Sequence, residues 1–241
     1  MALKTTVPFL LLLLPAGGRA AGGVGGGSAL HGEADGSPTG DRGRIDWKEV
    51  KRTRDGIAVY KREVPGSDLL AFKGEGEVAA PIDKVATIIF DTTRATEWIA
   101  DLKESKILHW QGDLSFVEYD WVGTPFILRD RDFVSTVTIE KDPPAGRILF
   151  HYVNALDPLA PQRPPRVRGD LMGTTYDLSA AGPATRVIAD IHIDPKGSIP
   201  RFIVNWVQAD WPVDTFRGLR RQAAKPDVTV DPRFQLDPVS P

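Results

Sequence analysis

The sequence contains no cysteine. Disulfides, lipid-modified N-terminal thiols, thiolate metal sites and cysteine nucleophiles are excluded by that absence alone. Histidine is scarce: His31, His109, His151 and His192 fall at no metal-ligand spacing. No Gly-x-Ser-x-Gly nucleophile elbow occurs. The residues thus nominate no catalytic group, no metal and no cofactor. An excess of one charge is lacking too, since 30 Lys and Arg face 32 Asp and Glu for a formal charge of -2. Such a chain has no field to attract nucleic acid. Its one basic cluster, Arg217, Arg220 and Arg221, suits the C-terminal end of a helix, where cations complement the dipole. The N-terminal apolar run, Val7 to Leu14, is too short to span a bilayer as a stable anchor.

That run has the form of a secretory signal. Lys4 precedes it, Pro15, Gly17 and Gly18 break it, and Gly18-Arg19-Ala20 offers small residues at the two positions a signal peptidase inspects. Residues 1–20 are therefore expected to be a signal peptide cleaved near Ala20 or Ala21. The mature protein is expected to be exported, either periplasmic or secreted. Residues 21–44, rich in Gly with Ser, Asp and Pro, are expected to be a flexible linker. Residues 225–241, carrying Pro226, Pro232, Pro238 and Pro241, are expected to be a disordered tail. The domain proper is then 45–224.

Within it, Asp46 predicts a short capped helix through Thr53. Alternation over 57–62 and 69–78 predicts two strands. Pro81 sits well as a first helical residue ahead of Ile82, Val85, Ile88 and Ile89 at helical spacing, and a second short helix is expected to reach Trp98. Strand-like runs follow at 105–110, 114–122, 127–140, 147–156, 167–178 and 185–193, and a long helix is expected from about Pro200 to Ala224. Hairpin-length connections argue for antiparallel pairing, and segregated helices and strands argue for an α+β fold.

Three blocks resemble the START lipid-transfer family. One is Arg129-Asp-Arg-Asp-Phe-Val-Ser-Thr-Val137, similar to that family's Arg-Asp-Phe/Tyr-Val strand. Another is Asp194-Pro-Lys-Gly-Ser-Ile-Pro-Arg-Phe-Ile-Val-Asn-Trp206, which resembles its Lys-Gly-x-hydrophobic-Pro approach to the C-terminal helix. The third is Trp98 followed by Lys106-Ile-Leu108. The resemblance implies a helix-grip fold, in which a curved antiparallel sheet wraps a long C-terminal helix with a lipid held between them. It implies neither catalysis nor a cofactor. It also implies a carboxylate and an arginine inside the lipid cavity, at positions that fall on Asp120 and Arg131. A tight hairpin centred between Pro125 and Phe126 would set these two opposite each other on one face; the alternative is a purely structural ion pair. By family register the other ligand-facing residues are Trp98, Val207, Trp211, Thr215 and Leu219.

The terminal helix carries apolar residues around more than half its circumference, from Phe202 to Trp211. One side would close the cavity, and the other would pack on loops or touch a bilayer. Pro212 inside it is expected to kink or end it. The Pro-rich segment 156–165 is expected to be a loop, either part of a lid at the cavity mouth or plain surface. Asp130 and Asp132 are discounted as an acid pair on the strength of strand alternation. The function expected is non-catalytic binding and transfer of a single lipid, sterol-like or otherwise sparingly polar, with transient membrane contact. The rivals are a helix-grip enzyme of the cyclase or aromatase type, which would need a polar constellation deep in the cavity, and a lipid-responsive sensor or adaptor.

Overall fold

A computed structural model describes residues 46–124 and 128–236, with the backbone alone at 201–203, 206 and 207. The expected signal peptide and linker lie outside the described residues. Ten strands form one sheet: β1 (Lys48–Arg52), β2 (Ala58–Val64), β3 (Ser67–Val78), β4 (Leu102–Gly112), β5 (Ser115–Val122), β6 (Arg131–Asp142), β7 (Arg147–Asn154), β8 (Val167–Arg168), β9 (Asp170–Ala181) and β10 (Ala184–Asp194). Their order across the sheet is β1-β2-β3-β10-β9-β7-β6-β5-β4, antiparallel throughout, while the short β8 pairs in parallel with the start of β6. Helix α1 (Ile82–Phe90) and a 3-10 turn (Thr92–Glu97) connect β3 to β4, and α2 (Arg201–Ala223) follows β10. This is the α+β arrangement expected, an antiparallel sheet closed by a long C-terminal helix.

Strand alternation divides the sheet into two faces. Phe72, Phe116, Val137, Ile139, Phe150, Leu178 and Val187 are buried in the main core with Val213, Phe216 and Leu219 of α2. The helix packs on the sheet at Gly74 of β3, where an added Cβ would lie 2.7 Å from the side chain of Pro212 and 2.9 Å from that of Phe216. Only a residue without a side chain leaves room for both there. Pro212 does not end the helix, which runs through it. On the opposite side of α2, Asp210, Asp214, Arg217 and Arg221 form one exposed stripe at helical spacing. Lys51 reaches Asp210 at 2.6 Å and Arg217 reaches Asp55 at 3.2 Å, so this stripe is tied to the chain's own first strands.

Two expectations fail at the ends of the domain. Residues 46–53 form no helix: β1 is exposed along its length and held by its backbone pairing with β2. Edge pairing outweighs local capping there, and the charged Lys-Glu-Val-Lys-Arg sequence suits an edge strand that must not recruit another chain. The tail is not free either as far as residue 236. Phe234 is fully buried, 5.2 Å from the ring of Phe90 and 6.0 Å from that of Phe150. Asp231 caps the turn that presents it, and the Asp231 backbone N–H donates to Thr87 Oγ1 of α1 at 3.0 Å. Prolines removed helix and strand from this segment without removing its apolar anchor, worth about 1.5–3 kcal/mol when fully buried.

Candidate ligand cavity

A cavity of about 120 Å³ lies between the helix-covered face of the sheet, the 3-10 turn and α2. Its hydrocarbon comes from Ile89, Ile99 and Leu102 on one side, Phe133 and Val122 on another, and Ile191, Ile193 and Trp211 opposite. Its polar groups are few and different in kind. β5 contributes Glu118 and Asp120, β4 contributes Ser105, β7 contributes Tyr152, and β9 contributes Thr174 and Tyr176. Among the described residues, no Lys, Arg or His lines it.

Glu118 and Asp120 sit two apart on one strand and therefore share a face. Register sets them opposite Ser135 and Phe133 of β6. The two carboxyls hydrogen-bond to each other, and Ser105 Oγ donates to Glu118 Oε1 at 3.4 Å. Burial pushes Glu118 well above the usual carboxylate range, and the neighbouring Asp120 charge pushes it further. Burial also raises Asp120, against the opposing effect of its bond from Glu118. Both carboxyls are thus shifted toward the protonated form, Glu118 the more strongly. The phenols of Tyr152 and Tyr176 meet edge to face at 5.9 Å between centroids. Burial, with the acid pair nearby, keeps both protonated. Two lining residues have polar atoms with no partner among the described residues: Trp98 Nε1 and Thr174 Oγ1, on side chains that are 3% and 7% exposed.

Of the residues expected here, Asp120, Trp98 and Trp211 line the cavity. Thr215 and Leu219 are buried but lie outside the lining, and the side chain of Val207 is outside the described residues. Arg131 is misplaced by the expectation. Asp120 pairs in register with Phe133, and Arg131 pairs with Val122, so the tight hairpin is wrong by two residues. Beside this register Asp130 accepts from Trp121 Nε1 at 2.9 Å, from the Thr124 N–H at 3.1 Å and from Lys103 at 2.8 Å, while residues 125–127 lie outside the described residues. Arg131 is buried elsewhere. Its guanidinium donates to the carbonyls of Pro195 at 3.2 Å, Lys196 at 3.1 Å and Arg129, pinning the loop that leads into α2.

The Pro-rich loop is not a lid. Ala160 packs on Val117, Tyr119 and Val134, which alternate with the cavity-facing residues of β5 and β6 and so lie on the other face of the sheet. Discounting Asp130 and Asp132 as an acid pair holds, but not through alternation, which places residues two apart on the same face. Asp132 is bound to Arg168 and Asp130 precedes the strand. Applied correctly, the same rule picks out Glu118 and Asp120. Beyond that, Tyr152, Tyr176 and Thr174 were not legible as site residues, because they join the acids only through the pairings of β7 and β9.

Similarity to known proteins agrees with this geometry. Residues 42–224 match the model of the START domain. An uncharacterized protein of Pseudomonas aeruginosa is 29% identical over 181 residues, which are 75% of this chain and 88% of that protein. A STAR-related lipid transfer protein from Xanthomonas axonopodis superimposes with a TM-score of 0.67 at 28% identity, over 74% of this chain and 99% of that one. Human StAR-related lipid transfer protein 5 superimposes with a TM-score of 0.70 at 19% identity, over 76% and 88% of the two chains. With a family model covering most of its length, the chain belongs to the START domain family.

Proposed function

We propose that this chain binds one lipid between its sheet and α2 and carries it, unreacted, between membranes in the periplasm or outside the cell. The observation that carries the reading is the cavity itself, walled by hydrocarbon and furnished with a handful of hydrogen-bonding groups at one side. That is the composition of a site whose affinity comes from apolar burial and whose selectivity comes from a few polar contacts. At about 120 Å³ the cavity is smaller than the roughly 300–1,000 Å³ of ligand pockets in general. Loading therefore requires a wall to yield, and α2, which rests on β3 through Pro212 and Phe216 over the side-chain-free Gly74, is the element we assign to that motion. The expected cargo is sterol-like or otherwise sparingly polar.

The test is purification of the exported chain, native mass spectrometry, and transfer of dehydroergosterol between phosphatidylcholine vesicles. The expected result is one lipid per chain, recovered chemically intact, and transfer faster than the spontaneous rate. A chain that carries nothing and leaves the transfer rate unchanged would refute the reading. N-terminal sequencing of the same sample tests export: a mature chain that still starts at Met1 would oppose cleavage near Ala20 or Ala21.

A second reading has one observation in its favour. An enzyme of this fold needs acid–base groups inside the cavity, and Glu118, whose burial favours its protonated form, beside Asp120 and two phenols supplies them. Conversion of bound ligand to a product of different mass would establish that reading in place of transport.

A further inference from the structure

We propose that the two carboxyls of β5 make the cavity selective for a lipid whose one polar group donates hydrogen bonds and carries no negative charge, and that they bar fatty acids and other anionic lipids. The inference rests on the lipid-binding reading above and names the ligand class of that site.

Three features of the cavity carry it. Glu118 and Asp120 are held side by side on one strand face and aimed into the hollow. Among the described residues the lining offers no cation to offset them, so any negative charge on the pair meets no counter-charge there. Acceptor capacity on Asp120 is therefore open to a donor brought by the ligand. Independently, Trp98 Nε1 and Thr174 Oγ1 are buried, belong to side chains that line the same cavity and have no partner among the described residues. Buried polar atoms are almost always satisfied, so the site is built for a guest with a polar end. A hydroxyl can donate to Asp120 while accepting from the indole or a phenol. An ammonium donates and also neutralises the pair. A carboxylate or phosphate would instead bring like charge into a poorly screened space. A carboxylic acid could enter only by taking up a proton, which at pH 7 lowers its apparent affinity by about 500-fold.

The experiment compares dodecanol, dodecylamine and dodecanoate by calorimetry at pH 7, with the parent chain and with Glu118→Gln, Asp120→Asn and the double variant. The same hydrocarbon in all three probes isolates the headgroup. Dodecanol and dodecylamine are expected to bind, with dodecanoate at least tenfold weaker, and the double variant should shrink that gap at least fivefold. Dodecanoate binding less than tenfold below dodecanol in the parent overturns the proposal. So does a gap that survives in the double variant, with the single variants confirming that each folded chain still melts cooperatively. If none of the three probes binds the parent chain, the lipid-binding reading itself fails, which is a different result from equal binding of all three.

Discussion

The two faces of the sheet treat buried acid in opposite ways. On the face away from α2, Asp132 is wholly buried, and Arg168 grips it with both arms at 3.0 Å while also donating to the Ala160 carbonyl at 2.9 Å. The Pro-rich loop lies over this pair and seals it. On the face beneath α2, Glu118 and Asp120 are given a serine, each other and a cavity, but no cation among the described residues. An acid whose role is structural has its counter-charge encoded in the same chain. An acid whose role is to meet a ligand is left without one until the ligand arrives.

Substitutions on each face should separate the two roles, and the largest effect belongs to the sealed pair. Arg168→Leu leaves Asp132 buried and unpaired and is expected to cost about 3–5 kcal/mol in denaturant unfolding. A loss under about 1 kcal/mol would show that Asp132 finds water and that the two faces do not differ. Next in size is the closing contact of the helix-covered face. Gly218 of α2 lies against the backbone of Trp98, where an added Cβ would be 2.0 Å from the Trp98 carbonyl oxygen. Gly218→Ala should cost about 1–3 kcal/mol through overpacking, despite alanine's better helix propensity, and should weaken ligand uptake by displacing Trp98. Increased stability with unchanged uptake would refute that contact.

The acid pair predicts a smaller effect of the other sign. Glu118 binds its proton more tightly in the folded state than in the unfolded one, whose value is near 4.5. Below that value both states are protonated and the residue contributes nothing to the pH dependence. As pH rises past it the unfolded chain ionises first, and stability falls by up to about 1.4 kcal/mol per pH unit until the folded group follows. Glu118→Gln removes that loss. The variant should match the parent near pH 4 and exceed it at pH 7, whereas Arg168→Leu should be less stable than the parent at pH 7. Urea titrations of parent and variant at the two pH values provide the check; a variant less stable than the parent at pH 7 would mean that Glu118 is stabilised as an anion.

Much of the fold was legible because its signals are local. Alternation marked nearly every strand, and Ile82, Val85, Ile88 and Ile89 marked α1 by spacing alone. The errors lie where distant parts of the chain decide. Asp46 has the chemistry of a helix cap, but the free edge of β2 took the segment into the sheet. The prolines after 225 concealed Phe234, whose burial depends on Phe90 and Phe150. For the site, Asp120, Trp98 and Trp211 were found, while Arg131 was assigned to the cavity because a loop held by Asp130 was read as a tight turn. Glu118 needed only the period of two, applied two residues earlier on the same strand.

The smallest expected effect tests the sealed face from outside. Leu156 and Leu159 are 87% and 62% exposed, on the loop whose Ala160 packs into the face away from α2. Were this loop a lid, these leucines would be its greasy edge, and replacing both with serine would slow lipid entry. In the arrangement described they touch neither the cavity nor the Asp132–Arg168 pair through any hydrogen bond or lining contact among the described residues. The double substitution should therefore change unfolding free energy by less than about 0.5 kcal/mol, as surface changes usually do, and leave the rate of dehydroergosterol uptake within twofold. A fivefold slowing at unchanged stability would reassign the loop to the lipid's path. The comparison of the two faces would then have to be redrawn, with the sealed face taking part in loading.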